Sequence, residues 1–227
     1  MPDLLESYGC PSSEVNGIYL VNGVNLTDME PTVKPRRSGQ HHGDLRNALE
    51  QAALGLVTER GPHGFTLAEA CRRAGVSVSA PYKHFADRDA LLAALAERAY
   101  AEQRVRFAAA VATTEDPVEQ LAAFAAAYVR FAAEERALFD VTFSAGIDEN
   151  SHPQLAEAGR GLLDILMPVV DRIDSDKGNA FNLLVSVTAA AHGLSLFLQH
   201  GVFGAEQDSL QATEERAAHT ARSIARA

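Results

Sequence analysis

Between Thr66 and Leu92 the chain reads TLAEACRRAGVSVSAPYKHFADRDALL, and few folds accommodate so much helix punctuation in so short a run. Thr66-Leu67-Ala68-Glu69 has the form of a capping box. In it, the threonine hydroxyl and the glutamate carboxylate each satisfy a backbone N–H that a helix start leaves unpaired. The helix so begun is predicted to run to about Ala74 and to stop at Gly75, because glycine enters the left-handed conformation that ends helices without a Cβ clash. Pro81 then marks a beginning rather than a break, since in a first helical turn the N–H it lacks has no partner anyway. Ser77 or Ser79 can cap this third helix, which is short and closed by Phe85, and Asp87 caps a long fourth helix in which Leu91, Leu92, Leu95 and Ala99 are apolar. Two short helices around a glycine turn make a helix-turn-helix.

Upstream, Asp44 offers an N-cap, and Leu45, Leu49, Ala52 and Leu56 lie on one helical face that ends near Gly61-Pro62. Caps and turns of this kind also occur in helical bundles with no nucleic-acid partner, so the chemistry of the third helix carries the distinction. A recognition helix shows the major groove small or polar side chains with a basic one, while flanking groups hold phosphates. Ser79, Ala80 and Lys83 suit the groove, because small side chains allow close approach and a lysine donates to guanine. Ser77, Tyr82 and His84 flank them. Thr66 and Arg88 stand at the starts of the second and fourth helices, where free N–H groups and the dipole favour an anion. Tyr82 and Phe85, three apart, also read as core residues, a reading that suits Phe85.

From the first helix through FTLAEACRRAGVSVSAPYKHFADRDALL, about residues 44–92, the sequence resembles the TetR/AcrR-type bacterial transcription regulators. The features that match are the Phe-Thr start, the Ala-Gly-Val-Ser turn, the Tyr-x-x-Phe and the charged cap followed by Leu-Leu. The resemblance implies a homodimeric, all-helical repressor. Its N-terminal headgroup would bind near-palindromic double-stranded operator DNA, and its C-terminal helices a small ligand. Pro81 departs from the pattern, which more often has Leu, Val or Ile there. Ala80-Pro81-Tyr82 with Lys83-His84-Phe85 looks like one branch that carries a His-Gly in a late helix, and this chain has Ala191-His192-Gly193.

In the C-terminal half, Leu121, Phe124, Tyr128 and Phe131 define one apolar helical stripe, and Leu155, Leu162, Leu166, Val169 and Ile173 another. Leu138, Phe139, Val141 and Phe143 lie between them in a short segment ended by Ser144-Ala145-Gly146. Such a cluster is either plain core or the lining of a ligand cavity. Phe124, Tyr128, Phe139 and Phe143 are the candidate lining residues, with His192 as the candidate polar group. His192 lies on an otherwise apolar helix from about Asp176 to His200 that includes Phe181, Leu184, Val185, Leu196 and Phe197. Helices at roughly 176–200 and 208–226 fit a dimer-forming pair. Ala189, Ala190, Ala191 and Gly193 are small enough for close packing, and Leu210, Ala217, Ala221 and Ile224 form an apolar edge. The effector expected is an unidentified apolar or aromatic small molecule.

The net charge of −10 argues on its own against a nucleic-acid partner, but it is unevenly spread. Residues 30–112 carry 12 basic and 9 acidic residues, whereas residues 113–227 carry 8 and 17. The middle is mildly basic and the C-terminal half strongly acidic, so different partners are expected for each. Cys10 and Cys71 are in no metal-ligand or CxxC spacing, and His192 has no carboxylate or second histidine at ligand spacing, so no metal or cofactor is expected. Ser144 and Cys71 sit in no nucleophile arrangement and no phosphate fingerprint is present, which argues against an enzyme. The remaining alternative is an acidic helical protein-interaction module without its own operator. No apolar run is read as a membrane span and no secretory pattern opens the chain, so a cytoplasmic protein with no membrane partner is expected.

The expected architecture is therefore all-α in three parts. Residues 1–43 form a flexible N-terminal extension, residues 44–92 a three-helix helix-turn-helix DNA-binding headgroup, and residues 93–227 a helical effector-binding and dimerisation bundle. Within the extension, Ile18-Tyr19-Leu20-Val21 is strand-like but interrupted by glycine and asparagine. Lys34, Arg36 and Arg37, near His41 and His42, form a basic segment that reads either as a minor-groove arm or as a solvated tail. Met29 is an alternative translation start.

Overall fold

The computed structural model describes residues 20–21, 24–25, 40–79, 81–147, 152–202, 204 and 209–227. The chain divides into two units, Met1–Ser38 and Gly39–Ala227. In the first, β1 (Leu20–Val21) pairs antiparallel with β2 (Val24–Asn25), Leu20 opposite Asn25 and Val21 opposite Val24. Lys34, Arg36 and Arg37 lie outside the described residues.

All the regular secondary structure described in the second unit is helical. In order it holds α1 (Gln40–Arg60), α2 (Leu67–Arg73), a 3-10 turn at Pro81–Lys83, α3 (Arg88–Val111), α4 (Pro117–Glu134), α5 (Arg136–Ser144), α6 (Pro153–Val170), α7 (Lys177–His200) and α8 (Leu210–Ala225). The all-α expectation holds, with three local differences. First, α1 begins at Gln40, so Asp44 lies inside it and does not cap it. No proline follows Pro35 before this point, and Gly43 costs a helix only about 1 kcal/mol relative to alanine.

Second, the third helix is a single turn. His84 and Phe85 both donate backbone N–H bonds to the Pro81 carbonyl, at 2.7 and 2.8 Å. Phe85 is then pinned in the core at 2% exposure, and Asp87 starts α3 two residues later, so there is no length left for a second turn. Third, the expected boundary at residues 92/93 falls inside α3. This 24-residue helix carries Leu91, Leu92 and Leu95 in the core with α1 and α2, and Gln103 and Phe107 in the core with the later helices. The headgroup and the bundle therefore share one element and one continuous core.

The remaining caps follow the sequence. Thr66 and Glu69 close the capping box, Gly75 has φ +70°, and Asp87, Asp116, Asp176 and Ser209 cap α3, α4, α7 and α8. Helix α4 is the centre of the bundle: Leu121, Phe124, Tyr128, Val129 and Phe131 are all buried, and α3, α5, α6, α7 and α8 pack around it. Polar ties fix the outer helices to it. Arg130 forms a two-pronged ion pair with Glu214 of α8 at 2.7 and 2.8 Å, Arg222 of α8 pairs with Glu119 at 2.7 Å, and Gln120 accepts from Arg172 beyond α6.

Helix α7 corrects the expectation that no segment resembles a membrane span. Its mean hydropathy reaches 1.6 over 18 residues, of which 22% are buried, and Lys177 is its only charged residue. By composition such a helix could cross a bilayer, but here it packs on α4, α6 and α8. Leu184, Val187 and Ala191 face that packing, whereas Phe181, Val185 and Phe197 stay 44–48% exposed.

Candidate functional site

The first site is the headgroup surface around the 3-10 turn. The capping box uses the polar atoms of Thr66: the backbone N–H donates to Glu69 Oε2 at 2.9 Å, the hydroxyl donates to the same oxygen at 3.0 Å, and that hydroxyl accepts from the Glu69 N–H at 3.2 Å. These bonds, led by the Thr66 backbone N–H and joined by Arg60 at 3.0 Å, hold the Glu69 carboxyl below its ordinary value. A carboxylate thus already occupies the start of α2, where an anion was expected to dock. Arg88 likewise reaches Asp89, at 2.9 Å. Ser77 and Ser79 are exposed with their hydroxyls 3.2 Å apart, and Lys83 is exposed at the end of the turn. Lys83 and Arg72 form no ion pair among the described residues.

Beneath the turn, Pro81 and Phe85 are buried and Arg46 of α1 lies over the Phe85 ring at 5.2 Å. A stiff, apolar underside therefore presents small polar groups and one free ammonium outward, which is what close approach to a polyanionic groove requires. His84 is half-buried behind them. Ala80 and the Tyr82 side chain lie outside the described residues.

The second site is a solvent-open cavity of about 650 Å³ lined by residues of α3, α4, α5, α6 and α7. Phe107, Phe124 and Tyr128 form one wall: Phe107 meets Phe124 edge-on at 5.0 Å and lies nearly parallel to Tyr128 at 6.0 Å. Leu162, Leu163 and Leu166 of α6 face them, and Phe143, Phe181 and Val185 stand half-exposed at the rim. Tyr128 and His192 join across the cavity wall, hydroxyl to Nδ1, at 3.0 Å. Burial raises the Tyr128 hydroxyl well above its ordinary value and lowers the His192 imidazole, so both are neutral near pH 7. Among the described residues, no Asp, Glu, Lys or Arg lines the space.

Residues 50–95 match the family described as bacterial regulatory proteins, tetR family, and residues 121–221 match the tetracyclin repressor-like C-terminal domain. The chain belongs to the TetR family. Among solved structures it is similar to a protein of unknown function from Rhodococcus sp. RHA1, with 29% identity, a TM-score of 0.66, and coverage of 82% of this chain and 98% of that one. It also shares its fold with the fatty acid degradation regulator FadR from Bacillus halodurans, at 15% identity and a TM-score of 0.62 over 78% and 94% of the two chains. The same holds for the TetR family transcriptional regulator PfmR from Thermus thermophilus, at 19% identity and a TM-score of 0.61 over 79% and 97%. No curated protein sequence matches significantly. This is a TetR-family transcriptional regulator, of a family whose members bind DNA, with repression and homodimers typical.

Of the residues singled out in this TetR-family sequence, the structure gathers Phe124, Tyr128, Phe143 and His192 around the cavity. Phe139 stands behind the lining instead: it is buried, its ring stacks on His192 at 5.2 Å and meets Phe143 at 4.9 Å. Of the expected dimer residues, Ala191, Ala217 and Ala221 are buried within the chain itself, while Ala189 and Gly193 stay accessible. Sequence reasoning missed the α3 contribution, Tyr100, Gln103 and Phe107. A signal was present, because Leu92, Leu95, Ala99, Gln103 and Phe107 form one helical stripe with a lone polar residue in it.

Proposed function

We propose that this regulator is a ligand-responsive repressor. It binds a near-palindromic operator as a dimer in the cytoplasm and is released by a small, largely apolar or aromatic effector held in the bundle cavity. The observation that carries this reading is α3: one unbroken helix has its first turns packed in the headgroup core and places Tyr100, Gln103 and Phe107 on the cavity. Helix α5, which places Phe143 at the rim, packs on both α1 and α3 and gives a second rigid route. Filling the cavity favours whichever arrangement of these helices accommodates the ligand. If that arrangement spaces the two headgroups wrongly, operator affinity falls by the ligand's differential affinity for the two states.

In this reading Ser77, Ser79, Ala80 and Lys83 face the major groove, while Tyr82, His84, Thr66 and Arg88 lie toward the phosphates. Lys34, Arg36 and Arg37 form the arm. The exposed face of α7, with Ala189, Gly193 and Phe197, together with α8, is the dimer seam; a dimer places two headgroups one DNA turn apart, about 34–36 Å. The test is binding to the DNA immediately upstream of the protein's own gene against random DNA of equal length at two salt concentrations. Tight, selective binding that weakens steeply with salt is expected, because counterions are released from the phosphates. Equal weak binding to both DNAs would favour the protein-interaction module.

A further inference from the structure

Among the described residues, the cavity lining holds one fully buried polar nitrogen for which the protein supplies no hydrogen-bond partner. Gln103 is 2% exposed, lies in the α3 wall of the cavity, and its amide nitrogen has no hydrogen-bond partner. An orphaned donor of this kind costs a folded protein free energy in the absence of something to accept from it. Its surroundings define that something. Tyr128 and His192 are already committed to each other, the wall is otherwise mostly aromatic and aliphatic, and among the described residues no ionised side chain faces the space. An anion docking against the Gln103 wall would shed part of its water without gaining a counter-charge, which is unfavourable. A hydrocarbon would leave the amide orphaned. The volume, about 650 Å³, lies in the range of cavities that take drug-sized ligands.

We infer that the effector is an uncharged, largely apolar molecule carrying a hydrogen-bond-accepting oxygen, of ketone, ester or amide type, that docks this oxygen on the Gln103 amide. This rests on the effector-cavity reading above and specifies its chemistry. Gln103 is the residue that selects the oxygen, and the absence of lining charge selects against the corresponding acid.

The experiment displaces the uncharged dye Nile red from the full-length protein at pH 7 with three compounds of nearly one shape: benzylacetone, butylbenzene and hydrocinnamate. Butylbenzene gains more from leaving water than the ketone does, so the informative quantity is the ratio of their affinities and how it changes in Gln103→Leu. That ratio is expected to shift about tenfold against benzylacetone in Gln103→Leu, the size of one buried hydrogen bond lost. It should shift equally in Gln103→Met, which guards against misfolding of one variant. Hydrocinnamate is expected to bind the wild type at least about tenfold more weakly than benzylacetone, because its charge has no partner in the cavity. An unchanged ratio in both variants, or hydrocinnamate binding as tightly as the ketone, overturns the inference and leaves the effector cavity standing. Failure of the dye and all three compounds to bind the wild type overturns the effector cavity itself.

Discussion

The headgroup turn and the bundle cavity are built by opposite means. Around the turn, neighbouring residues satisfy one another: Thr66 with Glu69, Asp87 with the Ala90 N–H, and Ser77 with Ser79, all within three residues in sequence. Around the cavity the contacts span long separations, such as Tyr128 with His192, and Gln103 is left without a partner. A surface that must meet a fixed ligand such as a DNA groove can be pre-organised locally and completely. A pocket that must respond to a ligand gains from an unmet requirement that only the ligand fulfils.

The largest expected effect tests whether the turn depends on its underside. Phe85 is 2% exposed beneath a turn only three residues long. Phe85→Ala should destabilise the protein by about 3–5 kcal/mol, read as a lower denaturant midpoint in chemical unfolding. The fraction still folded should lose operator affinity, because the turn has no second helical turn to hold it. Retained affinity would show that the turn is held by its flanking caps alone.

Next in size is the contrast between two cations that look equivalent in the sequence. Among the described residues Lys83 is exposed without an ion pair, whereas Arg88 is tied to Asp89. Lys83→Ala should weaken specific operator binding by about 1–3 kcal/mol, measured by fluorescence anisotropy against random DNA. Arg88→Ala should weaken all DNA alike and by less, since a phosphate contact first has to displace Asp89. Equal losses on operator and random DNA for Lys83→Ala would remove its base-reading role.

This difference in construction also explains what was legible beforehand. The capping box at Thr66, the stop at Gly75, the Asp87 cap and the apolar stripe of α4 are each set by a few neighbouring residues, and each stands where the sequence places it. The cavity was legible only through its aromatic members. Phe139 was misplaced by one layer, and Tyr100, Gln103 and Phe107 went unseen, because which side of a buried stripe faces a void depends on how five helices pack. The third helix, expected to be short and closed by Phe85, is a single turn at Pro81–Lys83, because Pro81 signals where a helix starts, not how far it runs.

A smaller effect tests local completeness. Thr66→Ala removes one half of the capping box and should cost about 1 kcal/mol of stability, with Thr66→Ser restoring most of it. If the hydroxyl is committed to Glu69 as the geometry shows, Thr66→Ser should also bind operator DNA as the wild type does. A larger loss of DNA affinity than of stability in Thr66→Ala would assign the hydroxyl a contact outside the box.

The smallest effect belongs to the cavity and concerns pH. Burial lowers the His192 imidazole below its ordinary value of 6.5, and its ring neighbours are Tyr128, Phe139 and Phe143, none of which compensates a positive charge. The unfolded chain therefore binds a proton at a pH where the folded chain still resists it. Stability is fully present above about pH 6.5 and falls as the pH drops from there toward the folded value. The chain holds seven other histidines, so the slope of the wild type alone does not identify His192. His192→Gln keeps a partner for the Tyr128 hydroxyl and removes the titration. Its stability should vary less between pH 7 and pH 5 than that of the wild type, by denaturant unfolding at matched ionic strength. Identical slopes would mean that the imidazole relaxes toward solvent once protonated, and that the Tyr128–His192 bond does not hold the cavity wall in place.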